Sequence, residues 1–220
     1  MSEPQVDHPC FSRFFNWLAS RGPGRGSFDA LRRETAGRAR GVTLEVGAGG
    51  GPNFAYYDPT LVERVEATEP DATMLGYARA HTARARVPIT LTQAPAEALP
   101  FADDTFDTAV MTLVFCSVAD PQRGLRELLR TLKPGGRLLM AEHVRSERAT
   151  FAAIQSALVP LTTRLASNCH WNRATDSVVR LSGFADVQAR PLAYPRMSAR
   201  LLAGGLLPIV LIEARKPGVP

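Results

Sequence analysis

The sequence predicts an α/β protein: a doubly wound, mostly parallel sheet of seven strands, helices on both faces, and a helical lid at the N-terminus. Three observations carry this expectation. From Val42 onward, short apolar runs alternate with stretches of helical periodicity, and strands separated by helix-length crossovers build parallel sheets. The first apolar run enters a turn made almost wholly of glycine and alanine, Gly47 to Gly51, a connection that suits a strand-to-helix switch. Ahead of the sheet, Phe11, Phe14, Phe15 and Leu18 recur at i, i+3, i+4 and i+7, which lays them on one face of a helix.

In chain order, the lid helix ends at Gly22-Pro23-Gly24, and Ser27 is placed to cap a second helix running toward Arg40. Five strands follow over 42–46, 62–68, 89–93, 106–112 and 137–142, with helices near 53–57, 71–85, 121–131 and 150–166. Pro52 suits the first turn of the first of these helices. Beyond them the alternation relaxes: 176–182 is helical, Gly183-Phe184 punctuates it, and 186–191 and 206–214 close the sheet as two further strands. No repeat, low-complexity tract or flexible linker interrupts the pattern. The organisation is a lid over 1–40 and one domain over 41–220, carrying a cap insertion at about 145–175.

Composition narrows the function classes. Hydrophobic residues make up 45% and charged residues 21% of the 220-residue chain, as in a globular protein with a real core. Cys10, Cys116 and Cys169 are odd in number and form no C-x-x-C pair, so neither a disulfide framework nor a zinc knuckle is expected, and reduced thiols in a cytoplasm are the reading. The net charge of +5 comes mostly from arginines scattered beside Glu and Asp, which suits a solvated surface better than a nucleic-acid footprint. The run from Leu201 to Ile212 is broken by Gly204, Gly205 and Pro208 and falls short of a bilayer span. With no signal-like N-terminus, a soluble chain is expected.

The chemistry concentrates in Thr43-Leu44-Glu45-Val46-Gly47-Ala48-Gly49-Gly50-Gly51-Pro52-Asn53. Missing side chains let backbone approach a ligand closely and adopt positive φ, and in an open α/β sheet the ligand crevice lies at the carboxyl ends of the strands. A tight connection with no ligand would look the same. Glu69 sharpens the reading: it ends the second apolar run, about twenty residues past the first glycine, where a carboxylate can accept from two ribose hydroxyls. That geometry fits any nucleoside cofactor. The dinucleotide pattern G-x-G-x-x-G, however, needs a small third residue where this chain has Pro52. Glu45, two residues ahead of crowded glycines, instead suits a cofactor with a cationic amino-acid end; a pyrophosphate would favour a clear anion site at the helix N-terminus.

The run Leu44-Glu45-Val46-Gly47-Ala48-Gly49-Gly50-Gly51 resembles the first motif of the class I S-adenosylmethionine methyltransferases, whose fold is Rossmann-like. Further blocks match in order and spacing: Ala96-Glu97-Ala98-Leu99-Pro100-Phe101, Asp103-Asp104-Thr105-Phe106-Asp107, and Leu128-Leu129-Arg130-Thr131-Leu132-Lys133-Pro134-Gly135-Gly136-Arg137. The resemblance implies S-adenosyl-L-methionine as cofactor, held by Glu45, Gly47, Ala48, Gly49, Gly51, Asn53, Glu69, Pro70, Met74, Ala96, Glu97, Leu113 and Val114. One departure is Pro95, where many members carry an Asp for the adenine amine; backbone groups or Glu97 then take that role.

A narrower resemblance runs through Leu113-Val114-Phe115-Cys116-Ser117-Val118, Ala141-Glu142-His143-Val144 and Asn168-Cys169-His170. These blocks are similar to the methyltransferase-like thiol methyltransferases and to bacterial proteins described as phospholipid methyltransferases. The expected reaction is methyl transfer to a thiol, amine or hydroxyl of a small apolar molecule. A phospholipid-headgroup N-methyltransferase and a non-catalytic cofactor-binding module stand as alternatives. His143 is the candidate acid–base group, with a structural histidine as the competing reading. Phe14, Trp17, Cys116, His170 and Trp171 are the candidate acceptor-pocket residues; Cys116 is also readable as a small buried apolar residue, and Trp171 as cap packing. The aromatic face of the N-terminal helix reads as a lid more than as a membrane contact. Glu142 and His143, adjacent and without a third partner, do not make a metal site, so no metal is expected.

Overall fold

A computed structural model describes residues 27–192 and 205–218, together with Arg13. The aromatic lid face, including Phe14 and Trp17, lies outside the described residues. Helix α1 (Ser27–Glu34) leads through a 3-10 turn (Ala36–Arg38) into β1 (Gly41–Val46), β2 (Val62–Thr68), α2 (Ala72–Thr82), β3 (Ile89–Thr92), β4 (Phe106–Thr112), α3 (Pro121–Thr131) and β5 (Leu132–His143). The chain closes with α4 (Ala149–Leu165), α5 (Thr175–Arg180), β6 (Ala185–Pro191) and β7 (Ile209–Arg215). The seven strands form one sheet in the order β3-β2-β1-β4-β5-β7-β6. Strands β1 to β5 pair in parallel, and β7 runs antiparallel between β5 and β6. The order reverses between β1 and β4, which opens the ligand crevice of a doubly wound sheet at their carboxyl ends.

Each element follows from its residues. The central strand β1 is buried from Val42 to Val46, because neighbours flank it and helices cover both faces; such strands read as continuous apolar runs. One cluster joins Leu44, Val46, Phe106, Leu138 and Met140 to Leu125 and Leu128 of α3. A second, on the other face, gathers Val65, Ala67, Val110, Ala78, Phe54 and Tyr57. The Asp71 carboxylate accepts from Met74 N (2.9 Å) to cap α2, and Asp120 accepts from Arg123 N (3.0 Å) ahead of Pro121 to cap α3.

Several boundaries differ from the sequence reading. The helix expected to run toward Arg40 stops at Glu34: the Thr35 hydroxyl turns back to Leu31 O (3.0 Å) and the chain tightens into the 3-10 turn. Near 53–57 there is only a 3-10 turn, Phe54–Tyr56, with Pro52 ahead of it rather than in its first turn. β5 begins at Leu132 rather than 137, because Leu132 already pairs with Phe106 before the register shifts between Phe106 and Thr108. Among the described residues no helix is long and apolar enough to cross a membrane.

Candidate active site at the carboxyl edge of the sheet

The loop after β1 takes left-handed backbone at Gly47 (φ 69°), Gly49 (φ 56°) and Gly51 (φ 78°), a region that costs other residues about 1–2 kcal/mol. Their surroundings differ. A Cβ on Gly47 would fall 2.6 Å from Val114 Cγ2, and one on Gly51 2.7 Å from Phe54 Cδ2, so both glycines exist to let neighbours pack. Among the described residues, a Cβ on Gly49 would meet only Met74 Cε, at 3.9 Å. Among the described residues, the loop is therefore closed at Gly47 and Gly51 and open at Gly49.

Glu69, 7% exposed, closes β2 and accepts from Gly49 N through Oε2 (2.8 Å) and from Asp71 N through Oε1 (2.9 Å). It thus ties the glycine loop to the start of α2. Burial pushes its carboxyl up to about 7, against the two amide bonds. Glu45 lies deeper: Oε1 accepts from Asn53 Nδ2 (2.9 Å) and Oε2 from Tyr57 OH (2.6 Å), and desolvation raises it too to about 7. Asn53 Nδ2 also reaches Thr112 Oγ1 (3.1 Å). Glu45 and Asn53 therefore brace the loop from beneath, and Tyr57, which the sequence reading did not single out, is their third member. Ala48 and Met74 are buried around this loop and Pro70 is half-buried, whereas Ala96 is buried with Phe115 and Val118 against Gly124 of α3.

Across the crevice, Leu113 turns left-handed (φ 57°) immediately after β4, a strained conformation for a leucine that brings Val114 against Gly47. The Glu142 carboxylate, fully buried in β5, holds this turn by accepting from Val114 N (2.7 Å) and Phe115 N (2.8 Å) on Oε1. Glu97, expected along adenine, accepts from Ala119 N (2.8 Å) and Asp120 N (3.0 Å) on Oε1, which serves the entry to α3.

The segment after α4 brings in the remaining candidates. Asn168 Nδ2 donates to Ser117 O (3.1 Å), His170 N to Cys116 O (2.8 Å), and Arg173 Nη1 to both Phe115 O and Val118 O (2.6 Å each). His170 Nδ1 lies 2.8 Å from Asn168 O, so this ring is engaged in the cap's own loop rather than simply exposed. Trp171 is half-buried in the same loop. The staple seats Cys169 Sγ 3.2 Å from Cys116 Sγ, and His143, at the end of β5, brings a ring nitrogen within 4.8 Å of both sulfurs. Residues 53 positions apart meet here, and nothing in their linear spacing announces it. Arg173 was likewise invisible as an isolated arginine; its role exists only once the cap folds onto the loop after β4.

Residues 44–140 match the family model of a methyltransferase domain. Among curated proteins, the chain is 31% identical to thiol S-methyltransferase TMT1B of Rattus norvegicus over 161 residues, covering 71% of this chain and 65% of that one. It is 30% identical to thiol S-methyltransferase TMT1B of Homo sapiens over 168 residues, covering 74% and 68%. The chain thus spans about two thirds of the length of these relatives. In fold, it resembles the [4+2]-cyclase SpnF (TM-score 0.71, 18% identity, 96% of this chain and 94% of that one). It also resembles phosphoethanolamine N-methyltransferase 2 of Haemonchus contortus with S-adenosyl-L-methionine bound (TM-score 0.69, 15% identity, 95% and 57%). By its glycine loop, its strand order and these relatives, this chain belongs to the class I S-adenosylmethionine-dependent methyltransferases of the methyltransferase-domain family.

Proposed function

We propose that this protein transfers the methyl group of S-adenosyl-L-methionine to the thiol of a small apolar molecule. The observation that carries the cofactor half is the pairing of Glu69 with Gly49 N at 2.8 Å, at a loop glycine whose missing side chain would meet only Met74 Cε, at 3.9 Å, among the described residues. A carboxylate oxygen keeps a further lone pair for a ribose hydroxyl while it holds the amide. Gly49, Ala48, Pro70 and Met74 would line the methionyl and ribose parts, and Ala96, Leu113 and Val114 the adenine side. Glu45 and Asn53 act through the loop they brace. The thiol half rests on relatives named thiol S-methyltransferases and on the convergence of His143, Cys116 and Cys169 at the same edge.

When bound, the cofactor supplies a methyl on a cationic sulfur, an excellent leaving group. What the chain must add is alignment, exclusion of water, and help for the acceptor's proton. The stapled cap covers the loop after β4 and limits water. Buried Glu45 and Glu69, ionised, lay negative potential beside the crevice, complementary to a sulfonium. His143 is the catalytic candidate at the acceptor end, with Cys116, His170 and Trp171 around it.

Calorimetry with S-adenosylmethionine, S-adenosylhomocysteine and NAD, followed by thiol, amine, phenol and lipid acceptors with S-adenosylhomocysteine release as readout, tests the proposal. Binding of the first two ligands, not NAD, and turnover with thiols are expected. Binding without turnover on any acceptor would make the chain a cofactor-binding module, and preference for lipid amines would make it a headgroup methyltransferase.

A further inference from the structure

We propose that Cys116, Cys169 and His143 form a three-ligand zinc site whose fourth position takes the sulfur of the acceptor; this deepens the thiol reading above and, in its catalytic half, rests on it. The three blocks that carry the narrower resemblance each deliver one member: the loop after β4, the end of β5 and the cap. Their donor atoms lie within 4.8 Å of one another. Two sulfurs and an imidazole nitrogen are the donor set of zinc and not of magnesium or calcium, which take oxygen. Zinc–sulfur bonds of about 2.3 Å place tetrahedral sulfurs about 3.8 Å apart. The thiols, at 3.2 Å, therefore need to part by only about 0.6 Å to admit the ion.

Two further features point to an occupant. Among the described residues, His143 Nδ1 is buried without a hydrogen-bond partner, a costly condition that a metal bond or a proton shared with the Cys116 thiol would relieve. The second feature is the rigidity of the frame. Cys116 O accepts from His170 N (2.8 Å), Cys169 O accepts from Thr162 Oγ1 (2.7 Å), and Arg173 clamps the carbonyls on either side of Cys116. Both thiols are thus positioned by bonds that do not involve their sulfurs, as a preorganised metal site requires. Two thiolates balance the charge of the ion.

Three protein ligands leave a position open, the arrangement of catalytic rather than structural zinc. The site lies at the carboxyl edge, beside Leu113 and Val114, which are assigned to the cofactor. An acceptor thiol binding the ion releases its proton to solvent and becomes a metal-held thiolate. Its sulfur forms a bond to the methyl as the bond between methyl and sulfonium sulfur breaks, giving a thioether, S-adenosylhomocysteine and one proton. In this arrangement His143 holds the metal, and the metal lowers the thiol's pKa.

The test titrates cobalt(II) into the metal-free, fully reduced full-length chain. A sulfur-to-cobalt charge-transfer band with tetrahedral d–d absorption, saturating at about one ion per chain, is expected, and zinc should displace it. Cys116→Ser, Cys169→Ser and His143→Ala should each weaken zinc by more than about a hundredfold, since even outer partners of a metal ligand cost ten- to a hundredfold. All three should still bind S-adenosylmethionine, which shows that they fold. Metal removal should abolish thiol methylation, and zinc should restore it. No cobalt band in reduced wild-type protein overturns the site, and unchanged turnover without metal overturns its catalytic role; thiol methylation persisting in either case leaves the proposed function standing. Loss of cofactor binding in wild-type protein sinks that function instead, while the cobalt titration still reports on the site.

Discussion

Gly47 and Gly49 stand two residues apart in one loop, both with left-handed backbone, yet alanine at each should fail in a different way. At Gly47 (φ 69°) the new methyl falls 2.6 Å from Val114 Cγ2, and Val114 is held by the bond from its amide to buried Glu142. The backbone penalty is about 1–2 kcal/mol and the overpacking about 1–3 kcal/mol, together on the order of 2–5 kcal/mol. For a chain of this size each kcal/mol moves Tm by about 2–4 °C, so Gly47→Ala should melt on the order of 10 °C lower. At Gly49 (φ 56°) the methyl meets, among the described residues, only Met74 Cε at 3.9 Å, leaving the backbone term alone, about 1–2 kcal/mol. In the proposed function the space it fills belongs to the cofactor, so affinity should fall at least about tenfold, or about 1.4 kcal/mol. Urea denaturation of both variants, with calorimetry of S-adenosylmethionine binding, separates the two effects. A Gly49→Ala protein that binds the cofactor as wild type does would refute the reasoning, whatever its stability.

Two other outcomes follow from the buried polar groups. Glu45 and Glu69 titrate near 7 in the folded chain against an ordinary 4.5, so between these values the native state holds protons that the unfolded chain has lost. Their contribution to stability is complete below about pH 4.5 and is lost as pH rises through 7, at about 1.4 kcal/mol per group per unit. Denaturant midpoints of the ligand-free protein should therefore fall from pH 5 to pH 7.5, and Glu69→Gln should flatten that slope; a wild-type midpoint that rises across the window contradicts the assignment. Arg173→Ala frees the carbonyls of Phe115 and Val118 from their shared guanidinium; it should cost about 2–4 kcal/mol and lower turnover more than cofactor affinity, as read by steady-state kinetics beside calorimetry.

The sheet was legible because its signals are local. Strands β2 and β4 and helix α3 fall on the predicted residues, each bounded by turn residues, and α3 by an Asp-Pro start that fixes its first turn. The misreadings arose where a side chain overrode local periodicity. Thr35 ends α1 by bonding back to Leu31 O, and Leu132 joins β5 early because Phe106 is already beside it. In the site, the glycine loop and Glu69 were legible as residue types at a spacing. The partners were not. Tyr57 reads as an ordinary aromatic until its hydroxyl is seen on Glu45, and the Cys116–Cys169 pair depends on the cap folding over the loop after β4.

The carboxylates show why residue type was easier to read than role. Each acid expected to face the ligand is, in the folded chain, also a tie between elements of the carboxyl edge. Glu69 joins the glycine loop to α2 and Glu97 holds the entry to α3; Glu142, which the sequence did not assign to the ligand, holds the turn after β4 in the same way. These loops owe their ligand access to missing or small side chains, so they have few means of fixing their own backbone. An acceptor-only side chain from a neighbouring strand can take two amides at once, and a rigid crevice results without filling it. Sequence reading sees a carboxylate in the right place and assigns it to the ligand. The fold shows that it first makes the place. In the proposed function a ligand hydroxyl or sulfonium would then meet a negative field already anchored by backbone, the preorganisation that methyl transfer requires.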